Sequence, residues 1–81
     1  MRIKVLYFAQ LKEKFGLGED NVSVCKGCSV WELRRLMVKL RPELSDAMSG
    51  AAIAVNMEYA DDSCQLQPGD VVALIPPVSG G

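Results

Sequence analysis

The sequence predicts an α+β roll, with one main helix packed across one face of a mixed sheet. Three observations carry that expectation. The stretch opened by Ser29-Val30-Trp31-Glu32 has both the start signal and the apolar stripe of a long amphipathic helix. Most of the remaining apolar residues fall in short runs of strand type, bounded by turn residues. No repeat, low-complexity segment or linker interrupts the 81 residues, a length suited to one small domain. The helical segments are too few to cover both faces of such a sheet.

Residues 2–8 (RIKVLYF) form the first predicted strand. Alternation puts Ile3, Val5 and Tyr7 on one face and Lys4, Leu6 and Phe8 on the other. Both faces turn apolar towards the strand's end, as in a central strand covered on both sides. Residues 9–15 read as a short helix, with Leu11 and Phe15 one turn apart and Gly16 closing its C-terminus. Residues 16–20 make a hairpin-like connection to a modest second strand over residues 21–26, where Val22 and Val24 alternate with polar positions.

Ser29 is the predicted N-cap of the main helix, and Glu32 closes the capping box. Pro42 cannot continue the helix, which should therefore end near Arg41. Val30, Leu33, Leu36, Met37 and Leu40 fall on one stripe, and Lys39 and Arg41 suit the negative C-terminal dipole. Trp31 and Val38 lie off that stripe and are expected to seal an edge of the core. Residues 42–50 read as a turn-rich connection with Leu44 and Met48 tucked inwards. Residues 51–56 (AAIAVN) form a third strand, and Met57-Glu58 turn it back into a short segment at Tyr59. Pro68-Gly69-Asp70 suits a type II turn, with Pro at i+1 and Gly at i+2. Residues 71–75 (VVALI) form the last strand. The predicted division is a folded domain over residues 1–75 and an extended tail over residues 76–81.

Composition narrows the function. Nine Lys+Arg against ten Asp+Glu give a net charge of −1, which argues against an electrostatic nucleic-acid footprint. No apolar run approaches the roughly 20 residues that span a bilayer. The N-terminus enters strand-like sequence without an export signal, and the three cysteines are an odd number. A cytoplasmic location is the expectation. With no His, the chain offers no imidazole base and no His metal site.

Cys25-Lys26-Gly27-Cys28 is a C-x-x-C before a helix, a setting for a redox dithiol. A zinc site would need further ligands, and only Cys64 remains, so loop and edge cysteines are the preferred reading. Glu19-Asp20 and Asp61-Asp62 are expected to be solvated loop carboxylates. Lys4, Lys12, Lys14, Arg34 and Arg35 read as scattered surface charges.

Two features are stronger. The chain ends Pro76-Pro77-Val78-Ser79-Gly80-Gly81, where prolines stiffen an extended approach and the glycines can pass a slot too narrow for any Cβ. The sheet also carries more apolar surface than one helix can cover. If Val72 and Leu74 join Ile3 and Val5 beneath the helix, then Leu6, Phe8, Val71, Ala73 and Ile75 form a patch on the opposite face, bordered by Tyr59. Patches of this kind mark protein interfaces. The competing possibility, cover by the loop over residues 61–67, is disfavoured because that loop is polar.

Read together, Val5-Leu6-Tyr7-Phe8-Ala9, Ala54-Val55-Asn56 with Glu58-Tyr59, and the run from Leu66 through Pro68-Gly69-Asp70 to Ile75-Pro76-Pro77-Val78-Ser79-Gly80-Gly81 resemble the small-subunit family of molybdopterin synthase. These are sulfur carriers with a ubiquitin-like β-grasp fold. Cys25, Cys28 and Trp31 are not part of the resemblance. It implies that a ubiquitin-activating-type adenylyltransferase/sulfurtransferase uses ATP to adenylate Gly81, and that a sulfur donor then yields a C-terminal thiocarboxylate. It further implies that the tail enters the active site of the synthase large subunit and donates sulfur to cyclic pyranopterin monophosphate, within a heterotetramer. Gly80 would give passage, and Pro76 and Pro77 would hold the tail extended. Phe8, Tyr59 and Ile75 would anchor the interface, with Leu6, Val71 and Ala73 around them. No cofactor is expected on this chain, which would be a non-catalytic subunit, inactive alone; the nucleotide is used by the activating partner. The rival readings are a sulfur carrier for thiamin thiazole or tRNA thiolation, a ubiquitin-like modifier, and a plain interaction module.

Overall fold

The computed structural model describes residues 1–8, 13, 16 and 18–75, with the Ser49 side chain excepted. Among them, a five-stranded sheet has the order β2-β1-β5-β3-β4, built from β1 (Arg2–Tyr7), β2 (Glu19–Ser23), β3 (Ala52–Val55), β4 (Glu58–Ala60) and β5 (Val71–Ile75). The β1–β5 pair is parallel, while β1–β2, β3–β4 and β3–β5 are antiparallel. The sheet is therefore mixed, as expected. Helix α1 (Val30–Leu40) packs on one face, followed by a 3-10 turn at Pro42–Leu44 and the short helix α2 (Ser45–Gly50). Among the described residues, no helix is long and apolar enough to cross a membrane. The short helix expected over residues 9–15 lies outside the described residues apart from Glu13. Gly16, its expected stop, has φ +71°.

The core follows the predicted alternation. Ile3, Val5 and Tyr7 from β1 and Val72 and Leu74 from β5 are buried against Val30, Leu33 and Met37 of α1. Fully burying a side chain such as Leu33 contributes about 1.5–3 kcal/mol. Helix α1 begins as its sequence requires. The Ser29 side chain accepts from the Glu32 backbone N–H at 3.2 Å, and the Glu32 carboxylate accepts from the Ser29 N–H at 3.3 Å. Two more amides of its first turn are satisfied by a loop: Val30 N–H donates to Cys64 O at 2.9 Å and Trp31 N–H to Asp62 O at 3.1 Å.

Four expectations are corrected. Strand β2 runs over Glu19–Ser23 rather than residues 21–26, because β1 pairs it from Leu6↔Glu19 to Arg2↔Ser23. Beyond Val24 the chain turns, with Cys28 N–H donating to Cys25 O at 3.1 Å and Gly27 at φ +81°. The connection after Pro42 is helical, and it delivers Leu44 and Met48 into the core as expected. Trp31 does not seal an edge of the core: it is 48% exposed, while Val38 packs partly against the core. Leu40, the last residue of α1, is also exposed, although it falls on the predicted stripe, whereas Leu44 in the following turn is buried.

Two turns fix the strand register on the far side. Asn56 (φ +50°) and Met57 (φ +72°) make the two-residue connection between β3 and β4, with Val55 opposite Glu58. Gly69 has φ +83°, and Asp70 N–H donates to Gln67 O at 3.1 Å, matching the type II turn predicted from Pro68-Gly69-Asp70.

Candidate functional site

The site is built on the sheet face that α1 leaves free. Register aligns Leu6 with Ala73, Ala73 with Ala54, and Ala54 with Tyr59, so one row crosses β1, β5, β3 and β4. Strand alternation directs all four to the face opposite Val5, Val72 and Ile53. Leu6 and Ala73 are half-buried, Ala54 is buried and Tyr59 is 78% exposed. A neighbouring row holds Ile75 opposite Ala52, and Val71 lies opposite Lys4. Phe8, just past the end of β1, is 46% exposed.

Every folded residue expected at the interface is thus on or beside one face. Phe8, Leu6, Val71, Ala73 and Ile75 lie on the β1–β5 pair, and Tyr59 stands at the edge strand. Sequence reasoning missed Ala54 and Ala52, which form the floor between Tyr59 and the β5 residues. Their signal was the alternation in AAIAVN, where Ile53 and Val55 claim the helix side and leave the alanines outside. The expected tail residues Pro76, Pro77, Gly80 and Gly81 lie outside the described residues. What the structure supplies is their root: Ile75 ends β5, inside the apolar surface.

The face has a polar margin. On the β2 side Glu19 stands opposite Leu6 and pairs with Lys4 at 3.5 Å. On the other side a clasp holds the start of β5. Asn56 donates from Nδ2 to Asp70 Oδ1 at 3.0 Å, and its Oδ1 accepts from the Val71 N–H at 3.0 Å. The Asn56 and Val71 backbones are joined directly, at 2.7 Å, and Asp70 Oδ2 accepts from the Gln67 N–H at 2.7 Å. An apolar centre with a charged rim suits docking of a protein. The loop over residues 61–67 does not cover this face. Its backbone bonds go to Cys28, Val30 and Trp31 at the start of α1, and Leu66 is buried in the core.

The other candidates resolve differently. Cys25 is exposed, whereas Cys28 is a core residue whose thiol is pushed up from its ordinary pKa by burial, against the activation a redox dithiol needs. Among the described residues no group of three or more potential metal ligands comes together. Neither acidic pair is simply solvated: Glu19 pairs with Lys4, Asp61 Oδ1 accepts from the Ser63 N–H and hydroxyl, and Asp20 and Asp62 each bind an arginine. Asp20 Oδ2 accepts from Arg41 Nη2 at 2.7 Å and Nε at 3.2 Å, and the Arg41 guanidinium holds the Asp20 carboxyl below its usual pKa. Asp62 Oδ1 accepts from Arg34 Nε at 2.8 Å, and Arg34 Nη1 also donates to the carbonyls of Met48 and Ala51. Both arginines tie elements together, so neither is a free surface charge.

Comparison with known proteins follows the same lines. Residues 5–81 match the family described as the ThiS family. The molybdopterin synthase sulfur carrier subunit of Chlamydomonas reinhardtii is 39% identical over 83 aligned residues, covering 100% of both chains. SAMP1 of Haloferax volcanii, a small archaeal modifier protein, superposes with a TM-score of 0.85 at 28% identity over 100% of each chain. A chain from the Helicobacter pylori complex of subunits 1 and 2 of molybdopterin-converting factor superposes with a TM-score of 0.73 at 29% identity, again over 100% of each. The shared architecture is the ubiquitin-like β-grasp.

Proposed function

This chain belongs to the ThiS family, and from that membership we propose that it is the sulfur carrier subunit of a molybdopterin synthase. One observation of the structure carries the reading: the row Leu6–Ala73–Ala54–Tyr59 makes a continuous apolar face around β5, and the chain passes from the end of β5 into the tail. A surface that docks a partner at the root of a Gly-Gly tail directs that tail into the partner. The identity to the Chlamydomonas reinhardtii carrier subunit supports the pathway, and the Helicobacter pylori complex supports a large-subunit partner.

The chemistry belongs to the terminal carboxylate. A free α-carboxylate is ionised and resonance-stabilised at neutral pH, and so a poor electrophile. A ubiquitin-activating-type partner attacks this by transferring AMP from ATP to Gly81, releasing pyrophosphate. A sulfur donor then displaces AMP, and the C–O bond to phosphate is replaced by a C–S bond. The resulting thiocarboxylate is a soft nucleophile. Inside the large subunit its sulfur forms a C–S bond to the side chain of cyclic pyranopterin monophosphate as a C–O bond there breaks and the oxygen leaves. Water then cleaves the resulting thioester, leaving the sulfur on the pterin and returning Gly81 to the carboxylate. A dithiolene needs two sulfurs, so loading and transfer occur twice for each product. Gly80 gives clearance, and Pro76 and Pro77 reduce the entropy lost on insertion. The acid–base groups and the pterin site lie on the large subunit, so this chain alone is inactive.

The likeness to SAMP1 supports a second reading, a modifier joined to lysines through Gly81. Intact-mass measurement separates the two after incubation with the activating enzyme, ATP and a sulfur source. A gain equal to sulfur replacing oxygen at Gly81 is the expected result. Conjugates on lysine, with no such gain, would move the chain to the modifier class, and an unchanged mass would reject both.

A further inference from the structure

Trp31 is left unexplained by the core and by the tail's docking face. It lies on the solvent side of α1, half exposed, with the Arg35 guanidinium 4.8 Å from its ring centre, one turn along the helix. Together with Val38 and Lys39 it walls one side of an open groove of about 1120 Å³, whose other side is Ser45 and Met48 of α2. Because α1 packs on the sheet through Val30, Leu33 and Met37, this groove opens in the helix layer, opposite the Leu6–Tyr59 row.

The charges in the groove are unequally committed. Glu32 is held by the Ser29 cap and Asp62 by Arg34. Among the described residues neither Arg35 nor Lys39 has a carboxylate partner. Among the described residues, the groove therefore offers a half-exposed aromatic ring with Arg35 over it, and a lining in which Arg34, Arg35 and Lys39 outnumber the carboxylates Glu32 and Asp62. Aromatic and arginine side chains together are the usual anchors of protein interfaces.

We propose that this groove is a second docking surface, which takes an acidic segment of a partner protein carrying an apolar side chain against Trp31. Charge complementarity selects that occupant. A nucleic acid fits poorly, since among the described residues the groove's lining has an excess of one positive charge and the whole chain carries a net charge of −1. The site lies on the opposite layer from the tail's docking face, so both can be occupied at once. It stands independently of the tail chemistry.

Trp31 is the chain's only tryptophan, so its fluorescence reports occupancy of the groove in the unlabelled full chain. The probe is a synthetic peptide alternating Glu with Leu, titrated at low ionic strength beside the same peptide with Gln or Lys in place of Glu. A saturable change with the Glu peptide only, weakening as salt is added, is expected. Arg35→Glu combined with Lys39→Glu should weaken that binding about tenfold or more while the far-UV spectrum is unchanged. Lys39→Glu alone, at an exposed and uncommitted position, should weaken it by a smaller factor and serves if the double variant is misfolded. No response to the Glu peptide, an equal response to the Gln or Lys peptide, or a stronger response to a uridine oligonucleotide or phosphatidylserine vesicles would overturn the proposal. So would full affinity in the charge-reversed variants.

Discussion

Asp20 sits where three elements meet. It belongs to β2, receives the guanidinium of Arg41 from the end of α1, and accepts a long hydrogen bond from the Tyr7 hydroxyl of β1 at 3.4 Å. Its neighbour Glu19 pairs outward with Lys4, which explains how two acidic residues can stand in a strand that composition alone would not place there. Asp20 and Tyr7, two of the shifted groups, meet here, and each contributes to the pH dependence. Asp20 is held below its ordinary value by Arg41, so its share of stability is present above pH 3.8 and is lost as pH falls through the lowered value. Tyr7 is raised above 10.0, chiefly by burial, so its share is present below pH 10.0 and is lost as pH rises through the raised value. Denaturant midpoints measured across pH should therefore fall at both ends. Asp20→Asn should cost about 1 kcal/mol near neutrality and flatten the acid limb, whereas Tyr7→Phe should flatten only the alkaline limb. An acid limb identical in Asp20→Asn would show that the Arg41 contact contributes nothing.

At the scale of elements, local signals with a short reach were legible and those that depend on a neighbour were not. The capping box at Ser29, the stop before Pro42 and the type II turn at Gly69 each need only a few adjacent residues, and each is found. The bounds of β2 depend on pairing with β1, which nothing in Glu19-Asp20 announces. Trp31, off the apolar stripe of α1, is a second such case: its exposure depends on what packs beside the helix, and Met48 of the helix over Ser45–Gly50 is in the core while the indole is not. The outer face lies between these cases. Alternation in β1 and β5 gave Leu6, Phe8, Val71, Ala73 and Ile75, but the alanine floor emerges only when β3 is set beside β5. Phe8 tests this assignment, since an exposed position on an interface tolerates a charge in the free chain and not in the complex. Phe8→Asp should keep the thermal midpoint within a few degrees and weaken binding to the large subunit by at least about a hundredfold, as for a central anchor. Calorimetric titration beside a melting curve measures both, and an unfolded free variant would place Phe8 in the core instead.

Across the whole molecule, the proposed docking and the proposed chemistry occupy different parts of the chain. The proposed docking surface is held in place: its central strand β5 is hydrogen-bonded to β1 and β3, and its entry is locked by the Asn56–Asp70 clasp. The proposed reacting atom is at Gly81, six residues beyond Ile75. A tail of that length, held extended, reaches at most about 20 Å from the sheet. Affinity for the large subunit should then come from the face, and turnover from the terminus. Deleting Gly81 separates them. The shortened chain should bind the large subunit with its affinity within about threefold of the full chain, because the Leu6–Tyr59 row is untouched and the last glycine contributes little apolar area. Its capacity to yield a dithiolene product should vanish, since the shortened tail no longer brings a thiocarboxylate to the pterin. Sedimentation or calorimetry reads the first quantity and product formation with a pre-loaded carrier reads the second. Retained turnover would remove Gly81 from the chemistry. Loss of binding together with turnover would mean that the tail, rather than the sheet, holds the complex together.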